Sequence, residues 1–124
     1  MNAMISDYLS PNTNPAVVVD GGGLVEEYQR QTEYYRRTGF QIKLINCRSA
    51  CTMALSLPTV CVYPNSVLKF HAAYDVTTKA IANKETDELF GMYPKKVQVA
   101  LGKLERKYKT LNGKQLIKLG VKSC

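Results

Sequence analysis

The sequence predicts an α/β domain: a mainly parallel sheet joined by βαβ crossovers, followed by a helical C-terminal segment. Short apolar runs of strand length alternate with amphipathic stretches of helix length. Glycine and proline fall at the junctions between them. Strand-helix alternation of this kind implies parallel neighbours, because a parallel return needs a crossover.

Ala16-Val17-Val18-Val19 reads as a buried strand, closed by Asp20-Gly21-Gly22-Gly23. A helix is expected from about Leu24 to Arg37, with Glu26 and Glu27 in its first turn and Arg36 and Arg37 in its last, the charge order a helix dipole favours. Gly39 ends it. Gln41 to Ile45 reads as the second strand, and small and apolar residues from Ala50 to about Leu57 as a short helix stopped by Pro58. Two further strands, Val60 to Tyr63 and Val67 to Phe70, flank a turn at Pro64-Asn65. Residues 75–83 are polar and loop-like. Helical spacing resumes near Thr86, restarts at Pro94 and runs to Asn112-Gly113, and a last helix covers Gln115 to Leu119.

The 124 residues suffice for one domain with one core, and 45% apolar with 22% charged side chains is ordinary globular composition. The apolar runs are strand-sized, so no membrane span is expected and the chain reads as soluble. The opening MNAMISDYLSPNTNP has neither the basic start nor the apolar stretch of a signal peptide, which reads as an intracellular or a trimmed chain.

The net charge of +7 is unevenly placed. Residues 95–124 carry nine basic side chains against Glu105 alone. Val97, Leu101, Leu104, Tyr108 and Leu111 recur among them at three- and four-residue spacing, so the cations read as the solvated face of an amphipathic helix rather than a nucleic-acid surface. A basic face that docks another subunit fits the same pattern.

Cys47, Cys51, Cys61 and Cys124 lack the paired spacing of a zinc site, and no metal or cofactor is expected. Read as disulfides, they place the chain in an oxidising, exported or periplasmic setting. Cys47 and Cys51 lie close along an expected helix, which favours pairing Cys61 with one of them, Cys47 foremost, and Cys124 with the other. Four buried thiols in a cytosolic chain are the alternative.

Three places could carry chemistry. The Gly21-Gly22-Gly23 run lets backbone approach a ligand closely at a helix start, but the serine and lysine of a phosphate loop are missing, so an oxyanion site or a plain tight turn remains. Ser49 follows a strand and opens a helix, as in a nucleophile elbow without its flanking glycines. A simple helix cap is the bland reading. His71, the one histidine in the chain, ends a strand and is the only imidazole able to serve Ser49 as a base.

The succession VVVDGGG, a helix, IKLINCRSACTMAL and LPTVCVYPNSVLKFHAA resembles the Clp proteolytic subunit and its relatives in the Clp-peptidase/crotonase superfamily. It resembles in particular the small, periplasmic-type Clp-like bacterial proteins with a cysteine-flanked S-A-C-T motif and an F-H-x-x motif. The match runs from Ala16 to Ala73, and YPKKV and the GVKSC ending are similar too. The resemblance implies a reduced form of that fold and a serine hydrolase acting on peptides or proteins. Ser49 would be the nucleophile, His71 the base, and the amides of Gly22 and Ala50 the oxyanion hole. The glycine run, Gly21 and Gly23 included, would receive an extended peptide. It also implies a homo-oligomer or a larger assembly joined through the helices after residue 85.

The sequence departs from that pattern. The family's acid has no clear counterpart: Glu105 is the one carboxylate in the matching basic region, and Asp75 and Asp87 are possible substitutes. Gly21 stands where the family has proline, and the first strand of the fold is missing or shortened. A non-catalytic binding or structural subunit on the same fold is therefore the rival expectation. An acyl-thioester binder of the crotonase kind is a third.

Overall fold

The computed structural model describes residues 14–20 and 22–124. The elements are β1 (Ala16–Asp20), α1 (Val25–Thr38), β2 (Ile42–Arg48), a 3-10 helix (Ser49–Ser56) and β3 (Val60–Phe70), then α2 (Asn83–Gly91), α3 (Lys95–Leu101), β4 (Lys109–Asn112), α4 (Gly113–Lys118) and β5 (Lys122–Ser123). β1, β2 and β3 are parallel neighbours, β4 adds to β3 antiparallel, and β5 pairs in parallel with the start of β3. The sheet is therefore mainly parallel, as the alternation of elements requires.

Local chemistry accounts for the element ends. In α1, Tyr28, Thr32 and Tyr35 form the buried face at helical spacing, and Gly39 closes the helix with a left-handed φ of 72°, its N–H donating to Tyr35 O. Thr59 Oγ1 donates to Phe40 O, and Arg36 donates to Ser56 Oγ, so α1 and the 3-10 helix are tied at their ends. α4 opens on a capping box in which Asn112 and Gln115 each bond the other's backbone N–H. A Cβ on Gly113 would overlap the Tyr63 carbonyl, so only glycine lets α4 lie this close to β3.

The core is continuous. Ile42, Leu44, Val62, Leu68 and Phe70 from the central strands meet Met53, Leu89, Val97 and Leu116 from the helices, all essentially without solvent contact. Among the described residues, no helix is long and apolar enough to cross a membrane.

Three expectations are corrected. The two strands expected around Pro64-Asn65 are one strand, β3. Its extra residues bulge between the Leu44–Val62 and Asn46–Val67 pairings, and Ser66 Oγ satisfies the bulge by accepting from Tyr63 N and donating to Leu44 O. The continuous helix expected from Pro94 to Asn112 stops at Leu101, where Gly102 takes a φ of 76°. Lys109 Nζ then donates to the carbonyls of Leu101 and Lys103, and the chain returns as β4. The spacing of Leu104, Tyr108 and Leu111 serves a loop and a strand, not a helix face.

The cysteine pairing is the third. The bonds are Cys47–Cys51 and Cys61–Cys124, with Cα separations of 5.7 Å and 5.0 Å. Cys47 sits in β2 and Cys51 in the 3-10 helix, and the sharp turn at Ser49 folds the second cysteine back onto the first. An uninterrupted helix would not have done so. Cys124 reaches Cys61 because β5 pairs with β3 through Cys61–Lys122 and Val62–Ser123, and Cys124 N donates to Val62 O.

The separations of 63 and 4 residues set different contributions to stability. Loop-closure entropy gives about 4 kcal/mol for the long loop and about 2 kcal/mol for the short one. Replacing Cys61 and Cys124 by alanine should therefore lower the unfolding free energy in urea about twice as much as replacing Cys47 and Cys51.

Candidate active site at the ends of the parallel strands

Register places the site. Asp20 at the end of β1 lies beside Cys47, Cys47 beside Leu68, and Arg48 beside Lys69. The residues that follow the three strands therefore emerge on one edge of the sheet: Gly22 after β1, Ser49 after β2 and His71 after β3. In open parallel sheets this edge is where ligands bind. Gly21 lies outside the described residues. Gly23 is exposed just beyond Gly22.

Ser49 has a left-handed backbone, φ 64°, between the extended Arg48 and the 3-10 helix. For a residue with a Cβ this conformation costs about 1 kcal/mol or more, so the surroundings must enforce it. Three contacts do. Cys47–Cys51 closes the chain around the turn. Thr52 Oγ1 donates to Ser49 O at 2.6 Å, and because that spends its proton, the buried Tyr93 hydroxyl donates to Thr52 Oγ1, also at 2.6 Å. Burial pushes the Tyr93 phenol up, well above its ordinary range, so it stays a donor. Finally, Gly22, at φ 89°, lies so close that a Cβ there would stand 2.6 Å from Arg48 O and 2.9 Å from Ser49 Cβ. The glycine turn and the serine turn fit one another only because Gly22 has no side chain.

Ala50 follows in the first turn of the 3-10 helix, fully buried, with an amide that the helix itself does not use. The Ser49 turn thus packs against the Gly22 backbone, with Ala50 the next residue of the chain.

His71 is 8% exposed. Its Nδ1 lies 2.7 Å from Ala72 O. A carbonyl can only accept, so Nδ1 carries the hydrogen and Nε2 of the neutral ring holds the lone pair. Burial lowers its pKa, the bond to Ala72 O pulls the other way, and the Arg48 guanidinium lowers it further. Two rings hold the imidazole. Antiparallel pairing of Phe70 with Lys109 sets Tyr108 opposite His71, edge-on with centroids 4.6 Å apart, and Tyr74 stacks at 6.0 Å. Ala72 N donates to Glu105 O, fixing the next residue.

No carboxylate stands behind the imidazole among the described residues. Asp75 Oδ1 accepts from Thr77 N and Thr78 N within its own turn, and those bonds, Thr78 foremost, hold its carboxyl below the usual range. Asp75 is thus engaged within its own turn, and no hydrogen bond joins it to His71 among the described residues. Glu105 pairs with Lys109 at 3.1 Å. Nor does a hydrogen bond join Ser49 Oγ to His71 Nε2 among the described residues. No group of three or more His, Cys, Asp or Glu among them is placed to hold a metal ion.

Gly22, Ser49, Ala50 and His71, which the strand ends gather, stand out in the sequence, whereas Thr52, Tyr74, Tyr93 and Tyr108 do not. Tyr108 and Leu111 are three residues apart, so no alternation marks this stretch as a strand, and Tyr108 comes beside His71 only through the pairing of β4 with β3. No family model and no curated protein matches the sequence.

Because His71 is the only histidine, one Hε1 resonance follows its ring in a proton NMR titration. Its midpoint should lie below the ordinary value of about 6.5. Tyr108→Ala, which uncovers the ring, should raise the midpoint toward that value. Gly22→Ala should destabilise the fold by at least about 1 kcal/mol, measured in urea, since it combines backbone strain with a clash on Arg48 O.

Proposed function

We propose that the chain is a serine hydrolase of the Clp-like type, acting on a peptide or protein with Ser49 as nucleophile and His71 as base. The observation that carries this reading is the left-handed Ser49 turn, packed against Gly22 at the strand edge from which His71 also emerges. A serine confined to a strained strand-to-helix turn is the geometry of a nucleophile elbow. A residue that serves only as a helix cap has no need of it.

The reaction is acyl transfer. His71 Nε2 takes the proton of Ser49 Oγ as the oxygen attacks the substrate carbonyl. The amides of Gly22 and Ala50 donate to the developing oxyanion, where fixed donors cost no reorganisation. The protonated imidazole then gives its proton to the leaving nitrogen, and the bond from that nitrogen to the carbonyl carbon breaks. Water, deprotonated by His71, releases the acyl group and returns the proton to Ser49. The Ala72 carbonyl takes the orienting role of a carboxylate but carries no full charge, so it stabilises the imidazolium less. A slow enzyme follows, acting on activated or well-bound substrates.

Glu105 and Asp75, each engaged elsewhere, favour a second reading: a binding or structural subunit that keeps the fold without turnover.

A fluorophosphonate probe separates the two. A hydrolase takes one covalent label at Ser49, lost in Ser49→Ala and reduced about a hundredfold or more in rate in His71→Ala, the low end of general-base contributions. Labelling should rise with pH through a midpoint below about 6.5, since only the neutral imidazole accepts a proton. A label that survives Ser49→Ala overturns the assignment of the nucleophile, and a chain that takes no label supports the binding subunit.

A further inference from the structure

Two exposed apolar side chains of this protein meet the imidazole, and a third is paired with one of them. Tyr74 and Tyr108 both contact the His71 ring, yet they remain 47% and 44% exposed. Ile81, 37% exposed, is paired to Tyr74 by a bridge across the 75–80 loop. That loop is built to stand: Asp75 caps it through Thr77 N and Thr78 N, Asp75 N donates to Ala80 O, and Lys79 N donates to Asp75 O. Two half-exposed aromatic rings on a braced loop and a strand start form a fixed apolar wall rather than a mobile fringe. Single exposed apolar residues need no explanation, but a cluster beside a candidate base does.

Chemistry decides what such a wall would touch. The base that takes the nucleophile's proton must hand it to the leaving nitrogen, so that nitrogen lies within hydrogen-bond reach of His71 Nε2. The side chain next along the leaving segment is then within a few ångströms of whatever frames the imidazole. We propose that Tyr74, Tyr108 and Ile81 form a binding wall on the leaving-group side of Ser49, selecting substrates whose leaving segment begins with an aromatic or other flat apolar side chain. This rests on the hydrolase reading and adds the substrate class to it.

Charge sharpens the selection. Lys79 Nζ lies 5.8 Å from the centre of the Tyr74 ring, and the Arg48 guanidinium is near enough to act on His71. Both are positive. A basic side chain on the leaving segment would meet like charge here, while an aromatic ring would find edges and faces to pack on.

Aminolysis of the acyl-enzyme reads this side of the site alone. Ser49 is acylated with p-nitrophenyl acetate, and amines compete with water for the acyl group. The amine nitrogen attacks the acyl carbon and the bond to Ser49 Oγ breaks. The amine's proton passes through His71 Nε2 to Ser49 Oγ, leaving an N-acetyl amide. Phenylalaninamide should be captured several-fold, up to about tenfold, better than glycinamide, with lysinamide no better than glycinamide, as one aromatic packing contact allows. Tyr74→Ala and Tyr108→Ala should each reduce the ratio toward one, and Tyr74→Phe should keep it. Tyr74 lies at the exposed foot of the loop, so its variants keep the test open if Tyr108→Ala fails to fold. Ester turnover with equal capture of all three amines overturns the wall while leaving the hydrolase reading intact. Absence of any Ser49 acylation overturns both.

Discussion

A serine forced into the left-handed region is the constraint on which the rest of this molecule depends. Ser49 holds a φ of 64° at the point where β2 gives way to a 3-10 helix, and nothing in the serine itself favours that. The conformation persists because independent parts of the chain agree on it. The Cys47–Cys51 bond ties the residues on either side, and the Tyr93 hydroxyl reaches through Thr52 to the Ser49 carbonyl. Tyr93 is in turn held edge-on by Phe70, the last residue of β3, at 5.2 Å. The turn after the second strand is thus braced from the end of the third and from the helical layer beyond it. Strain localised in this way, and supported from several directions, is the usual mark of a place where a side chain is presented rather than merely accommodated.

The parallel sheet supplies the other half of the geometry. Strands that run the same way end on the same edge, so three loops separated by more than twenty residues in sequence emerge side by side. Gly22 meets Ser49 there at a distance that no other residue would permit. His71 arrives one strand over, already fixed in the tautomer with a free lone pair on Nε2 by the neighbouring carbonyl. The arrangement differs from a three-residue relay in a specific way: the imidazole is positioned by a backbone dipole and two tyrosine rings, so its orientation is set by the β3–β4 pairing instead of by a buried charge.

Much of this was legible in the sequence because it lies in order and type. Alternating strands and helices gave the parallel sheet, and the small residues at its ends marked Gly22, Ser49 and His71 as strand-end positions. The cysteine pairing was not legible, since spacing treats Cys47 to Cys51 as a helical turn, and only the backbone of Ser49 makes them neighbours. β4 escaped for a related reason. Leu104, Tyr108 and Leu111 have the spacing of a helix face, while Gly102, which ends α3, is a single residue whose effect depends on the left-handed φ it adopts. With β4 went Tyr108, because its nearness to His71 exists only through pairing across strands. The Tyr93–Thr52–Ser49 relay joins residues 41 positions apart and leaves no local signature at all.

The central claim is that the Ser49 turn presents a nucleophile to an oxyanion site made by its neighbours. The structure of the protein carrying a phosphonyl group on Ser49 tests it most directly. A phosphoryl oxygen should lie about 2.7–3.1 Å from the amide nitrogens of both Gly22 and Ala50, with His71 Nε2 on the leaving-group side. A phosphoryl oxygen turned to solvent, with Ser49 relaxed out of its left-handed backbone, would contradict it.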